Sequence, residues 1–156
     1  MSSYARVGTL WLVAMAGCAH SKIPLTDIDD TDDNRQILAI VEEYKRAMES
    51  LDAPAVLSLV SPRFYEDNGN LATADDYDYA GLKTSLETDF ARTKIMHLDL
   101  RIDAIAVDDD AAYAQLYYKV RAHNGYPSGE KWETGADRTR IEFERVGDKW
   151  LIISGL

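Results

Sequence analysis

A chain of 156 residues with 27 acidic and 17 basic side chains carries a formal net charge of −10, and it is long enough for one domain with a proper core. That balance argues against nucleic-acid binding, where phosphates would be repelled, and against a hold on anionic lipid by charge alone. The single cysteine, Cys18, excludes an intrachain disulfide, a CxxC motif and a zinc-finger spacing, and there is no G-x-S-x-G, H-E-x-x-H or glycine-rich phosphate loop, so no cofactor is expected.

The first residues read as a targeting segment. Met1 to Arg6 holds one cation, and Val7 to Ala16 is an uncharged, mainly apolar run. The run is too short to span a bilayer but the right length for a signal-peptide core. It closes on Met15-Ala16-Gly17-Cys18, which resembles a bacterial lipobox, with Met where Leu is more usual. The resemblance implies a signal peptide over 1–17, lipidation of Cys18 and a membrane anchor through its acyl chains. Ala19 in place of Asp after the cysteine resembles the outer-membrane sorting pattern of Gram-negative lipoproteins. The expected location is therefore the cell envelope, facing the periplasm. A plain secretory signal, or a buried strand with an inert cysteine, is the competing reading.

Residues 18–34 read as an acidic tether. Asp27, Asp29, Asp30, Asp32 and Asp33 crowd together and should repel one another into an extended spacer. An EF-hand would need Gly at its sixth position and Glu at its twelfth, and no register supplies both, so no metal site is expected.

The folded domain is expected over 35–156. Asp33 with Gln36 resembles a capping box, and Ile37, Ile40, Val41, Tyr44, Met48 and Leu51 follow at helical spacing. Asp52 and Pro54 start a short second helix that runs through Val60 and ends at Ser61-Pro62. Phe64 to Asp67 is a short extended piece stopped by Asn68-Gly69, and Asn70 to Asp78 reads as irregular. Asp78 caps a third helix bearing Tyr79, Leu82, Leu86 and Phe90. From His97 onward four strands succeed one another: LDLRIDAIAV, AAYAQLYYKV, WETGADRTRIEFERV and KWLIISGL. Leu98, Leu100 and Ile102 alternate with Asp99, Arg101 and Asp103. Ala114, Leu116, Tyr118, Val120 and Ala122 alternate with Gln115, Tyr117, Lys119, Arg121 and His123. A period of two marks an antiparallel sheet with one apolar face. Short turns are expected at Asp108-Asp109-Asp110 and at Val146-Gly147-Asp148-Lys149, and a larger loop over His123 to Lys131.

Three helices, a short strand after the second, and a strand run ending in Gly147-Asp148-Lys149-Trp150-Leu151-Ile152-Ile153-Ser154 resemble the nuclear transport factor 2-like superfamily, which includes ketosteroid isomerases, SnoaL-like cyclases and scytalone dehydratase. The resemblance covers nearly all of Asn34 to Leu156 and implies an α+β fold, with helices packed on a curved, mainly antiparallel sheet that forms a cone around an apolar pocket. Enzymes of that group place a carboxylate or histidine base inside the cone. Here Asp99, Arg101 and Asp103 fall on the outer face by phase, and His97 and His123 fall at a strand start and a loop edge. The candidate pocket polar groups are Tyr65 and Asp67 on the short strand, Tyr118 on the second long strand and Asp137 on the third. The competing reading makes the tyrosines core aromatics and the acids turn caps.

Two functions follow. One is an envelope lipoprotein that binds a small apolar ligand or an envelope protein without catalysis. The other is an isomerase-, dehydratase- or cyclase-like enzyme acting on a hydrophobic small molecule, which requires Asp67 or Asp137 inside a closed pocket. Tyr113 and Tyr117 add aromatic area to the outer face, where relatives of the superfamily associate, and leave room for a homodimer. Cys18→Ser is expected to abolish metabolic lipid labelling, and unchanged membrane partitioning of that variant would overturn the lipoprotein reading.

Overall fold

The computed structural model describes residues 21–69 and 73–156; Cys18 and the expected signal peptide lie outside them. Helix α1 (Asp32–Glu49) turns Ile37, Val41 and Ala47 into the core. It is capped by Thr31, whose Oγ1 accepts the Asn34 amide at 3.2 Å, and not by Asp33. Asp33 lies one residue inside the helix and is used over long range. Its carboxylate accepts from the Trp150 indole at 3.0 Å and pairs with Arg145 at 2.9 Å. Local pattern reading cannot choose between adjacent acceptors when the partners that decide lie more than a hundred residues away.

The expected spacer is also different from Ser21 onward. The Ile23 amide donates to the Ile28 carbonyl at 2.9 Å, Asn34 Nδ2 donates to the Asp29 carbonyl at 2.8 Å, and Ile28 is buried. The physical reason is pairing: Lys22, Arg35 and Arg145 sit on Asp29, Asp30 and Asp33 respectively, which removes the mutual repulsion that an acid-by-acid reading assumes.

Helix α2 (Ala53–Ser58) starts on an Asp52 cap with Pro54 in its first turn. The chain then runs beside the last strand, with the Ser61 amide donating to the Ile152 carbonyl and the Ile152 amide to Leu59. Strand β1 (Tyr65–Glu66) pairs with β2 (Tyr77–Asp78), a strand within the stretch that reads as irregular. Helix α3 (Tyr79–Arg92) is capped by Asp78 and passes straight into β3 (Thr93–Asp108). Strands β4 (Ala111–Tyr126), β5 (Gly129–Val146) and β6 (Lys149–Ser154) complete an antiparallel sheet of order β3-β4-β5-β6.

The larger loop expected over His123 to Lys131 is absent. Tyr126 pairs with Gly129, so only Pro127 and Ser128 turn the chain, and Asn124 and Gly125 lie within the strand. Asn124 is buried because it has strand partners. Its Nδ2 donates to Glu133 at 2.7 Å, and its Oδ1 lies 2.8 Å from the Thr93 hydroxyl. A polar turn-former is tolerated inside a sheet when its hydrogen bonds are made there.

The sheet is bent around α1. A register shift between Ile102 and Ala104 leaves Asp103 unpaired in β3, a bulge that strengthens twist and curvature. On the concave side Ala114, Leu116, Ile141, Phe143 and Ile152 meet Ile37, Val41, Val56 and Phe64 in one core. The Asp99, Arg101 and Asp103 row is exposed on the convex side, with Arg101 2.8 Å from Asp103.

Asp33 therefore fastens the first turn of α1 to the β5–β6 hairpin. Its carboxyl is held below the ordinary value, first by the Arg145 hydrogen bond and then by that of Trp150. A depressed folded value means that the contribution is complete above the ordinary carboxylate range and is lost as pH falls through the folded value. Asp33→Asn is expected to lower stability at neutral pH by about 1–2 kcal/mol in urea unfolding, and to flatten the acid limb of stability against pH.

Candidate functional site

The strands run on beyond the stretch that α1 covers, and the concave face there encloses a cavity of about 1200 Å³. Its walls follow from strand register. Leu100, Tyr118 and Asp137 form one row across β3, β4 and β5, and Leu116 pairs with Thr139 in the next. Val120, Met96 and Leu98 extend the apolar surface, and Met48 and Tyr44 on the last turns of α1 close it from the helix side. At the far wall the chain after β6 continues close alongside β5. Gly155 makes this approach possible: its φ of +91° is left-handed, and a Cβ there would collide with the Arg140 carbonyl. Leu156 is thereby delivered to the cavity wall, where its carbonyl accepts the Tyr77 hydroxyl.

The polar groups divide by depth. Tyr44 and Tyr118 are half-buried, and among the described residues neither hydroxyl has a hydrogen-bond partner. Burial, with smaller contributions from neighbouring Tyr77 and Tyr118, pushes the Tyr44 hydroxyl up to about 12. It is therefore a neutral donor throughout the physiological range. The acids sit at the mouth or are already paired. Asp67 is exposed and accepts the Gly69 amide at 2.9 Å, and Asp137 is exposed and accepts the Arg138 amide at 2.7 Å. Glu66 is tied down by the Gly155 and Asn68 amides. Glu144 is buried, but Ser61 and the Arg63 guanidinium satisfy and neutralise it.

All four residues singled out from the sequence line this cavity, in unequal roles. Tyr118 is an inner wall residue. Asp137 shares its row but sits at the rim, where β6 no longer covers β5. Tyr65 is 53% exposed, and its hydroxyl donates to Asp76 at 2.6 Å instead of entering the cavity. Tyr44, Glu66 and the Arg63–Glu144 pair were missed. Tyr44 lies on the apolar stripe of α1 and reads as core by spacing, but a tyrosine on such a stripe brings a hydroxyl that needs a partner, which was the available signal. Among the described residues neither histidine faces the cavity. His97 is on the outer face, and His123 stacks on Trp132 at 4.7 Å.

No family model matches the chain, and no curated protein does. Solved structures do match. A conserved protein from Planctomyces limnophilus superposes with a TM-score of 0.67 at 16% identity, over 79% of this chain and 92% of that one. A proposed dehydratase of the nuclear transport factor 2-like family from Streptomyces avermitilis gives 0.62 at 19% identity, covering 79% and 93%. A nuclear transport factor 2-like protein of unknown function from Pseudomonas putida gives 0.61 at 17% identity, covering 79% and 83%. The fold is thus the nuclear transport factor 2-like cone, α+β with helices on a curved antiparallel sheet.

Because the Tyr44 hydroxyl is raised in the folded state, its contribution is complete below the ordinary tyrosine value of 10.0 and is lost as pH climbs through about 12. Titration of tyrosinate absorbance should show a late-ionising tyrosine that Tyr44→Phe removes. An unchanged late transition in the variant would show that Tyr44 is open to water.

Proposed function

We propose that the domain holds a small apolar ligand bearing a hydrogen-bond acceptor, without catalysis, and that Cys18 anchors it to a membrane of the cell envelope. The observation that carries the ligand reading is the combination of apolar walls with the partnerless hydroxyls of Tyr44 and Tyr118. Both hydroxyls reach the cavity space and have no protein partner among the described residues, so an acceptor on a ligand would add a hydrogen bond worth about 0.5–1.5 kcal/mol net. The volume stands a little above the roughly 300–1,000 Å³ of small-molecule sites, in keeping with a cavity open at its mouth. A general base would need a carboxylate kept from water and free to take a proton. Asp67 and Asp137 are exposed, and Glu144 is committed to Arg63. The anchor rests on Met15-Ala16-Gly17-Cys18.

One observation favours chemistry of the dehydratase or isomerase kind: Asp137 stands directly opposite Tyr118 on the concave face, and one structural neighbour is a proposed dehydratase. Loss of turnover in Asp137→Asn with ligand binding retained would establish that reading in place of simple binding.

The binding reading can be tested with 1-tetralone, which carries a carbonyl acceptor, and tetralin, which does not. Isothermal titration should show 1-tetralone binding about fivefold more tightly, the worth of one net hydrogen bond. The preference should vanish in the Tyr44→Phe/Tyr118→Phe double variant. Failure of both compounds to bind up to their solubility limits would remove the proposal.

A further inference from the structure

The convex face of the sheet holds a second concavity, which shares only Val120 with the lining of the cone. It is a trough of about 680 Å³ floored by Thr134, Gly135 and Ala136. Two cross-strand rows build it: His97, Arg121 and Thr134 in one, and Asp99, Lys119 and Ala136 in the other. Ala136 opposite Lys119 and Thr134 opposite Arg121 keep the floor low, while Gly135 between them faces Val120 on the other side of the sheet. An aromatic ring stands at either end, since Tyr117 precedes Lys119 by two positions and Trp132 is paired with His123 two positions after Arg121. Lys119 lies over the Tyr117 ring at 5.9 Å and Arg121 over the Trp132 ring at 4.3 Å, and Trp132 is 42% exposed.

The ion pairing of the surface sets this place apart. In a chain of net charge −10, a cation on the surface should find a carboxylate easily. Among the described residues every Lys and Arg does so within ion-pair distance except Lys119, Arg121 and Lys149. Lys119 is not in ion-pair contact even with Asp99, its direct cross-strand neighbour, and Glu49 at the trough edge is taken up by the Leu98 amide and Lys45. Two adjacent cations are thus held on aromatic faces, exposed and unneutralised, in a molecule with acids to spare.

We propose that this trough docks an acidic peptide segment of another protein, its carboxylates received by Lys119 and Arg121 and its flanking residues by Tyr117 and Trp132. The dimensions favour a peptide over a single small anion. From Tyr117 to His123 the strand advances about 20 Å, the reach of about six extended residues, with the cations in the middle. Two copies of this face apposed about a twofold axis would instead bring four cations into one interface.

The test titrates the full chain with hexaglutamate, using hexaglutamine as control. Fluorescence anisotropy should show hexaglutamate binding that weakens with salt. NMR shifts should centre on the amides of Thr134, Gly135 and Ala136 and on the Trp132 indole. Lys119→Gln/Arg121→Gln should bind at least about tenfold more weakly with an unchanged melting transition, and Lys119→Arg/Arg121→Lys should bind nearly as the wild type. Equal binding of the two peptides, or undiminished binding by the neutralised variant, overturns the proposal. So does displacement of hexaglutamate by equimolar inorganic phosphate, which would mark a small-anion site. Tighter binding to phosphatidylglycerol vesicles overturns it in favour of a membrane. Peptide-free doubling of mass in sedimentation, with the same amides shifted, overturns it in favour of a second copy.

Discussion

Everything in this fold depends on how one helix is held against one curved sheet. Helix α1 is fixed at both ends by side chains that act at a distance. Asp33 in its first turn takes the Trp150 indole and the Arg145 guanidinium, while Arg145 also lies over the Trp150 ring at 4.2 Å. Glu49 at its last turn accepts the Leu98 amide at 2.9 Å, on the unpaired edge of β3. Between these two points Ile37 and Val41 are fully buried in the core. The cavity begins where the filling stops, at Tyr44 and Met48. A helix clamped at both ends cannot slide to close that gap, so the space is a product of the clamps as much as of the sheet's bend.

The same sheet has two chemically different sides. The concave side trades water for hydrocarbon and for two tyrosine hydroxyls. The convex side keeps its charges in solvent and covers its aromatic rings with guanidinium groups: Arg140 lies over Tyr113 at 3.8 Å and Arg101 over Tyr117 at 5.4 Å. A stacked guanidinium keeps an exposed ring attractive to anions and less attractive to plain apolar surface. Aromatic residues on the outside of a sheet need not signal a greasy interface.

Strand phase was legible because it depends only on near neighbours. It places Asp99, Arg101 and Asp103 outside and Tyr118 on the concave face from alternation alone. The misreadings share one cause. Asn124-Gly125 looks like a turn, Asp33 like a cap and the run of aspartates from Asp27 like a self-repelling spacer, because each was judged by its nearest residues in sequence. Asn124 and Asp33 are decided by Thr93 and Trp150, out of reach of local patterns, whereas Asp29 and Asp30 are neutralised by Lys22 and Arg35, nearby cations that a reading of the acids alone passes over. The depth of a pocket residue is similarly non-local. Asp137 has the phase of a wall residue, but its exposure is set by β6, which pairs with β5 only over Glu142 to Val146.

The Asp33–Trp150 hydrogen bond spans 117 positions of sequence, whereas each of the three long hairpins closes through a two-residue turn. Contacts of such different span form on different schedules, since loop closure must precede the reward of a distant contact. On a ribosome adding about 5–20 residues per second, α1 is made early and then waits several seconds for Trp150 and Ile152 before its apolar face can be covered. During that interval the helix carries an exposed hydrophobic stripe, and the chain stays pliable. Such a polypeptide can be threaded through a narrow passage or taken up by a chaperone until its last strand is complete.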